Sequence, residues 1–135
     1  YTMRNIKMAI KEIDLTKKSD TPKVSDVVRT MEERHPILMS EFKKIQHEQY
    51  ELFAQKQMAY GKGNIMLGGD IDIDEDRVAA IRGITIRLND KMQRLLNLVL
   101  KGVSNPLQNE SVSDTFIDMS VYGIISQIVE RGKWK

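Results

Sequence analysis

Residues 109–134, NESVSDTFIDMSVYGIISQIVERGKW, combine a helical apolar stripe with acidic side chains inside it. The apolar residues at helical spacing are Ile117, Val121, Ile124, Ile125, Ile128 and Val129. Asp114 and Asp118 fall within this stripe, Glu110 lies at its edge, and residues four apart share one helix face. The pattern predicts a column of acids that points toward the interior. Because a buried carboxylate without a partner costs several kcal/mol, this face needs cations, a metal ion or water.

Composition and charge are those of a globular domain. The chain has 135 residues, of which 41% are hydrophobic and 30% are charged, and its net charge is +2. The charge is evenly divided along the chain, which argues against a long nucleic-acid duplex as a partner. The absence of Cys excludes disulfides and thiolate chemistry and suits a cytoplasmic location. No apolar run approaches the ~20 residues that span a bilayer, so we expect no membrane partner.

Helical periodicity predicts an all-α fold, a helical bundle of three long helices plus one or two short N-terminal helices. The long helices are predicted over residues 36–60, 78–101 and 109–134. The short helices are predicted over residues 3–13 and 26–34, the second with Ser25 as its N-cap. At the ends of the last helix, Ser111 and Asp114 have capping-box spacing and Gly132 fits a C-cap. We divide the chain into an N-terminal helical extension, residues 1–34, and a helical domain, residues 35–135.

The first long helix is predicted to bury one apolar face. That face holds Leu38, Phe42, Ile45, Leu52, Phe53 and Tyr60. Lys56 lies on the same face, where its ammonium group either meets a bound phosphate or pairs with Asp118. The second long helix carries a basic stripe of Arg87, Lys91 and Arg94, which is either a phosphate clamp or a solvated face with local ion pairs.

The acid column has two interpretations. In the first, Glu110, Asp114 and Asp118 hold Mg²⁺, which in turn holds phosphate oxygens. In the second, the acids form an ion-pair lattice with Lys56 and an Arg of the second long helix. The acidic run of residues 70–76 is unlike a calcium loop, because it lacks the Gly and the bidentate Glu that such a loop needs.

Three sequence blocks together match a known pattern. They are Lys56 with Tyr60-Gly61 and Asn64, then Arg87-Leu88-Asn89-Asp90-Lys91 with Arg94-Leu95, and then Asn109-Glu110-Ser111-Val112-Ser113-Asp114-Thr115 with Asp118 and Tyr122. In order and spacing, the run from His35 to Glu130 resembles the nucleotide modification associated domain 1 family, small helical proteins frequent in bacteriophages and prophages. Two features depart from the pattern. Ala59 replaces the Asp that usually precedes Tyr-Gly, and the loop of residues 70–76 is longer than typical. In addition, only Glu48 and Glu51 stand where the similar nucleotide pyrophosphohydrolases carry a Glu-Glu-x-x-Glu motif.

The resemblance implies a MazG-like fold, similar to all-α nucleotide pyrophosphohydrolases that hold Mg²⁺ on helix-borne acids and cleave nucleoside triphosphates. The implied metal ligands are Glu110, Asp114 and Asp118, with Glu48 or Glu51. The implied phosphate- or nucleotide-binding residues are Lys56, Tyr60, Asn64, Arg87, Lys91 and Arg94. By analogy, such a protein forms a homo-oligomer and, if phage-encoded, works in the host cytoplasm.

Three functions are therefore open. The first is Mg²⁺-dependent hydrolysis of nucleoside triphosphates in nucleotide metabolism or DNA base modification. The second is a non-catalytic nucleotide-binding module, or a sponge that sequesters a signalling nucleotide, and Ala59 with the sparse first-helix acids favours it. The third is a structural protein whose polar core fixes helix register. We choose a nucleotide-directed protein and leave catalysis open.

Overall fold

The computed structural model describes residues 22–135. The chain divides into two compact units, Tyr1–Lys43 and Lys44–Lys135, and every site discussed below lies in the second unit. The short helix predicted over residues 3–13 lies outside the described residues. The boundary predicted between residues 34 and 35 stays a prediction.

The described part of the chain is helical and contains no strand, which confirms the all-α prediction. The helices are α1 (Val24–Arg34), α2 (Pro36–Tyr60), α3 (Gly63–Met66), α4 (Asp74–Leu95) and α5 (Val112–Glu130). A short π-helix, Leu96–Leu100, directly continues α4. The three long helices α2, α4 and α5 correspond to the three predicted ones.

Three predicted helix starts differ from the structure, and the last helix, predicted from residue 109, begins at Val112. Helix α1 begins at Val24, so Ser25 lies inside its first turn and the predicted N-cap role of Ser25 is wrong. Helix α4 begins at Asp74, four residues before the predicted start. Asp74, Glu75 and Asp76 form its first turn, where acidic side chains meet the positive end of the helix dipole. The acidic run of residues 70–76 is therefore in part a helix N-terminus.

The core of the second unit forms where α4 packs along α5 and α3 packs on α4. Its buried apolar residues are Ile65, Ile71, Ala80, Ile84, Ile125, Val129 and Trp134. Thr115 is the buried polar residue of this part of the chain. Phe53, Val121 and Tyr122 are half-buried and pack against the same cluster. These contacts position the inner faces of α2, α4 and α5 around the cavity described below.

The apolar face predicted for the first long helix is largely exposed. Leu38 and Phe42 are each 63% exposed and Tyr60 is 67% exposed, so their assignment to the core is wrong. Phe53, on the same face, does pack against the core. Periodicity shows which residues of a helix share a face, but burial of that face also requires a partner surface, which the periodicity of one helix does not reveal.

The C-terminal end of α5 is fastened by a Schellman motif and a buried tryptophan. Lys133 N donates to Ile128 O at 2.9 Å and Gly132 N to Val129 O at 2.9 Å, while Gly132 adopts a φ of 65°. This confirms the predicted cap at Gly132. The following Trp134 is 7% exposed, and its Nε1 donates to Lys62 O at 2.8 Å. Trp134 thus anchors the segment between α2 and α3 to the residues that follow α5.

Candidate functional site

A cavity of about 360 Å³ opens between α2, α3, α4 and α5. It is lined by Phe53, Lys56, Gln57, Tyr60, Asn64, Ile65, Arg87, Asp118, Val121, Tyr122 and Ile125. Apolar and aromatic side chains share the wall with two cations, one carboxylate and two amides. A concave site in which apolar and aromatic surface meets several convergent polar groups is compatible with binding of a small molecule.

Four of the six residues predicted to bind nucleotide line this cavity. They are Lys56, Tyr60, Asn64 and Arg87. Lys91 and Arg94 do not line it, although the basic stripe runs along the same helix. The structure therefore divides the stripe into one residue that faces the cavity and two that are engaged elsewhere.

Arg87 enters the cavity with most of its hydrogen-bonding capacity unused. Its Nη2 donates to Asn64 O at 3.3 Å, and its guanidinium carbon lies 5.8 Å from the centroid of the Tyr122 ring. A guanidinium has five N–H donors, and within residues 22–135 the others of Arg87 have no hydrogen-bond partner. Arg87 is thus held in place by Tyr122 and Asn64 while its donor fork stays available.

Arg94, two helical turns further along α4, has both terminal nitrogens of its guanidinium engaged in hydrogen bonds. It donates to Ser111 O at 3.1 Å, to Glu110 O at 2.7 Å and to Asn105 Oδ1 at 3.2 Å. It also donates to the buried Oγ1 of Thr115. These bonds join α4 to the start of α5 and to the preceding loop, so in this structure Arg94 acts in the architecture.

Asp118 is the acid of the predicted column that faces the cavity, and two lysines satisfy it. Lys91 Nζ lies 2.9 Å from its Oδ2, and Lys56 Nζ lies 3.4 Å from its Oδ1. Lys91 also donates to Glu110 Oε1 at 3.2 Å. The hydrogen bond to Asp118 raises the pKa of Lys91 above 10.5, with a further contribution from Glu110 against partial desolvation. This is the ion-pair lattice weighed above, with Lys91 in the place expected for an arginine.

Asp114 does not point into the interior, which corrects the prediction of three inward acids. It is exposed and closes a capping box with Ser111: Ser111 N donates to Asp114 Oδ2 at 2.6 Å, and Asp114 N donates to Ser111 Oγ at 3.1 Å. The hydroxyl of Ser111 also donates to Asp114 Oδ2 at 2.8 Å. These bonds lower the pKa of Asp114 below 3.8. The helical spacing of Asp114 and Asp118 was predicted correctly. Asp114, however, lies in the first turn, where its side chain caps the exposed end of the helix.

The residues predicted to hold Mg²⁺ do not assemble into a metal site. Glu110 and Asp118 share the ammonium group of Lys91, and Asp114 faces its own helix cap. Glu48 and Glu51 lie on α2 beside Lys44 and His47, at 3.9 and 3.3 Å. Within residues 22–135, no group of three or more His, Asp or Glu side chains is arranged to hold a metal ion. The side chains as they stand therefore do not fit the ion.

Two amide side chains of the cavity carry unmet hydrogen-bonding capacity. Gln57 Oε1 and Asn64 Oδ1 are buried, and neither accepts a hydrogen bond from the described part of the protein. A buried polar atom without a partner costs roughly 1–3 kcal/mol, so such atoms mark places where a further partner is expected. Sequence reasoning missed Gln57. The signal was present, because Phe53, Lys56, Gln57 and Tyr60 follow the helical spacing of one face.

Comparison with known proteins adds no relative: no family model matches the chain, and neither the curated proteins nor the solved structures give a significant match. The resemblance to the nucleotide modification associated family therefore stays a prediction. Among the described helices, none has the length and apolar character needed to cross a membrane.

Proposed function

We propose that the protein binds a nucleotide in the cavity between α2, α3, α4 and α5. The observation that carries this proposal is the guanidinium of Arg87, which faces the cavity with free donors beside an aromatic ring. A guanidinium group can donate two parallel hydrogen bonds to the oxygens of a phosphate group, and its positive charge strengthens both bonds. Lys56 lies on the wall of the same cavity and supplies a second cation.

The rest of the cavity suits a nucleobase. Phe53, Tyr60 and Tyr122 provide aromatic surface, and Val121 and Ile125 provide apolar surface. The amides of Gln57 and Asn64 lie on the same wall, and each amide offers donors on nitrogen and an acceptor on oxygen. Because no donor within residues 22–135 binds either oxygen, each amide can present its oxygen or its nitrogen to the edge of a base.

A binding experiment with matched variants tests this proposal. Isothermal titration calorimetry is run with the four common deoxynucleoside triphosphates, the ribonucleoside triphosphates and the corresponding monophosphates. Arg87→Gln is compared with Arg82→Gln, which removes the same charge from an exposed position of α4 outside the cavity. We expect at least one nucleotide to bind the wild-type protein, and Arg87→Gln to weaken it at least tenfold. Equal affinity in both variants contradicts the assignment of this cavity.

Mg²⁺-dependent hydrolysis of a nucleoside triphosphate stays a prediction. The occupied carboxylates described above favour the binding module or sponge over the hydrolase. To distinguish hydrolysis from binding alone, the protein is incubated with Mg²⁺ and the nucleotide that binds tightest, and the products are separated by chromatography. Formation of nucleoside monophosphate and pyrophosphate faster than in a control without protein supports the hydrolase.

A homo-oligomer, a phage origin and a cytoplasmic location belong to the same proposal and rest on the resemblance. One feature supports association with a second copy. The groove between α2 and α5, lined by Ile45, Leu52, Phe116 and Ile117, leaves Phe116 56% exposed. Light scattering coupled to size-exclusion chromatography tests it, with Phe116→Ser expected to shift an oligomer toward the monomer.

A further inference from the structure

Asp118 carries two lysines, one on each carboxylate oxygen, and they are held unequally. Lys91 lies 2.9 Å from Oδ2 and has a second carboxylate partner in Glu110 at 3.2 Å. Lys56 lies 3.4 Å from Oδ1 and, in the described part of the chain, has no other carboxylate partner. If Lys56 leaves, Asp118 keeps Lys91 and no carboxylate is left without a cation.

We infer that Asp118 holds Lys56 in the free protein and releases it to the phosphate of a bound nucleotide, so that Asp118 limits affinity by competition. This inference rests on the proposed function and adds a regulatory role for one acid of the cavity. The role is opposite in sign to that of a metal ligand, because removal of the carboxylate strengthens binding.

The exposure and charge of these groups make the exchange favourable. The side chain of Lys56 is 45% exposed and that of Asp118 is 25% exposed, so solvent screens their interaction and its loss changes affinity only a few-fold. Asp118 already shares its single charge with Lys91. A nucleotide phosphate carries at least one full negative charge and several acceptor oxygens, and is therefore the stronger partner for Lys56.

Asp118→Asn removes the competitor while Lys91 keeps Glu110. We expect this variant to bind the nucleotide selected from the panel above about two- to fivefold more tightly than the wild type, which corresponds to the loss of one screened ion pair. Weaker binding by Asp118→Asn, with or without Mg²⁺, overturns the inference and favours a role for the carboxylate in binding.

A double-mutant cycle separates release of Lys56 from a general effect of the negative charge. Asp118→Asn is measured in the wild type and in Lys56→Met. We expect the fold-increase in affinity caused by Asp118→Asn to be at most half as large in Lys56→Met as in the wild type, because Lys56 is then absent and cannot be released. An equal gain in both backgrounds means that Asp118 acts only through its field, and it overturns the inference.

A structure of the wild-type protein with the bound nucleotide tests the same point without a variant. Lys56 Nζ within hydrogen-bonding distance of a phosphate oxygen supports the release, and Lys56 still on Asp118 overturns it. The two proposals fail separately. If no nucleotide of the panel binds the wild type, the proposed function is overturned and the inference falls with it; if a nucleotide binds but the cycle shows no coupling, only the inference is overturned.

Discussion

Lys91 Nζ lies 2.9 Å from Asp118 Oδ2, and this contact joins the C-terminal part of α4 to the inner face of α5. The same ammonium group reaches Glu110 Oε1 at 3.2 Å. The lysine thereby occupies the space between two carboxylates that the sequence assigned to a metal ion. In the structure Lys91 neutralises these two acids, and Arg87 is the residue of the basic stripe that lines the cavity.

Replacement of Lys91 by Met should destabilise the protein. Both partly buried carboxylates then lose their shared cation, and only Asp118 keeps another, Lys56. We expect a loss of about 1–2 kcal/mol in the free energy of unfolding, between the values for exposed and for buried ion pairs. Urea denaturation measures it. Lys101→Met, an exposed lysine beyond the π-helix, is the control and should change stability by less than about 0.5 kcal/mol. Equal losses in the two variants contradict the bridging role.

The same contact predicts an alkaline dependence of stability. Because the pKa of Lys91 is raised above 10.5 in the folded protein, its contribution is fully present below the unfolded pKa of about 10.4. It is lost as the pH rises through the folded pKa. The stability difference between wild type and Lys91→Met should therefore be constant from pH 7 to about pH 10 and shrink above that. A difference that already declines near pH 8 contradicts the direction of the shift.

The capping box at the start of α5 predicts an acidic dependence. The pKa of Asp114 lies below 3.8 because Ser111 donates to its carboxylate through hydroxyl and backbone. This interaction stabilises the fold above the unfolded pKa of about 3.9 and is lost as the pH falls through the folded pKa. Carboxyl NMR titration should give Asp114 a pKa below 3.8 in the wild type. In Ser111→Ala the pKa should rise.

Ser111→Ala should also lower the free energy of unfolding by about 1 kcal/mol, as is usual for the loss of an N-cap. Ser113→Ala is the matched control, since Ser113 is exposed in the first turn of the same helix and takes no part in the cap. If the two variants have the same stability and the same Asp114 titration, the cap does not contribute as described.

Arg94→Gln should reduce stability and leave nucleotide affinity nearly unchanged. The substitution removes donors from Thr115 Oγ1 and from the carbonyls of Glu110 and Ser111. Thr115 is fully buried, and a buried polar group that loses its partner costs about 1–3 kcal/mol. Thermal unfolding and calorimetric titration of the same sample measure both quantities. A large loss of affinity with unchanged stability would restore Arg94 to the phosphate clamp that the sequence predicted.

Much of the fold could be predicted from the sequence because its signals are local. The spacing of apolar residues predicted α2, α4 and α5, and short-range chemistry predicted the Ser111–Asp114 box and the Gly132 cap. The exposed face of α2, with Leu38 and Phe42, could not be predicted, because burial depends on partners distant in sequence.

The candidate site was predictable in its residue types but not in its pairings. Lys56, Tyr60, Asn64 and Arg87 do meet at one cavity. Arg87 and Arg94 look alike in the sequence, seven residues apart on one helix. Only the placement of α5 and the loop before it decides that Arg94 binds two backbone carbonyls and two side chains, whereas Arg87 keeps most of its donors free.

Calorimetric titration of Arg87→Gln beside Arg82→Gln most directly tests whether Arg87 binds a nucleotide phosphate. Loss of a charge-assisted bond from a cavity should weaken binding by about 1.5–3 kcal/mol, or at least tenfold. We predict that loss for Arg87→Gln, and for Arg82→Gln an affinity within about twofold of the wild type. Wild-type affinity in Arg87→Gln, or an equal loss in both variants, would contradict phosphate binding by Arg87.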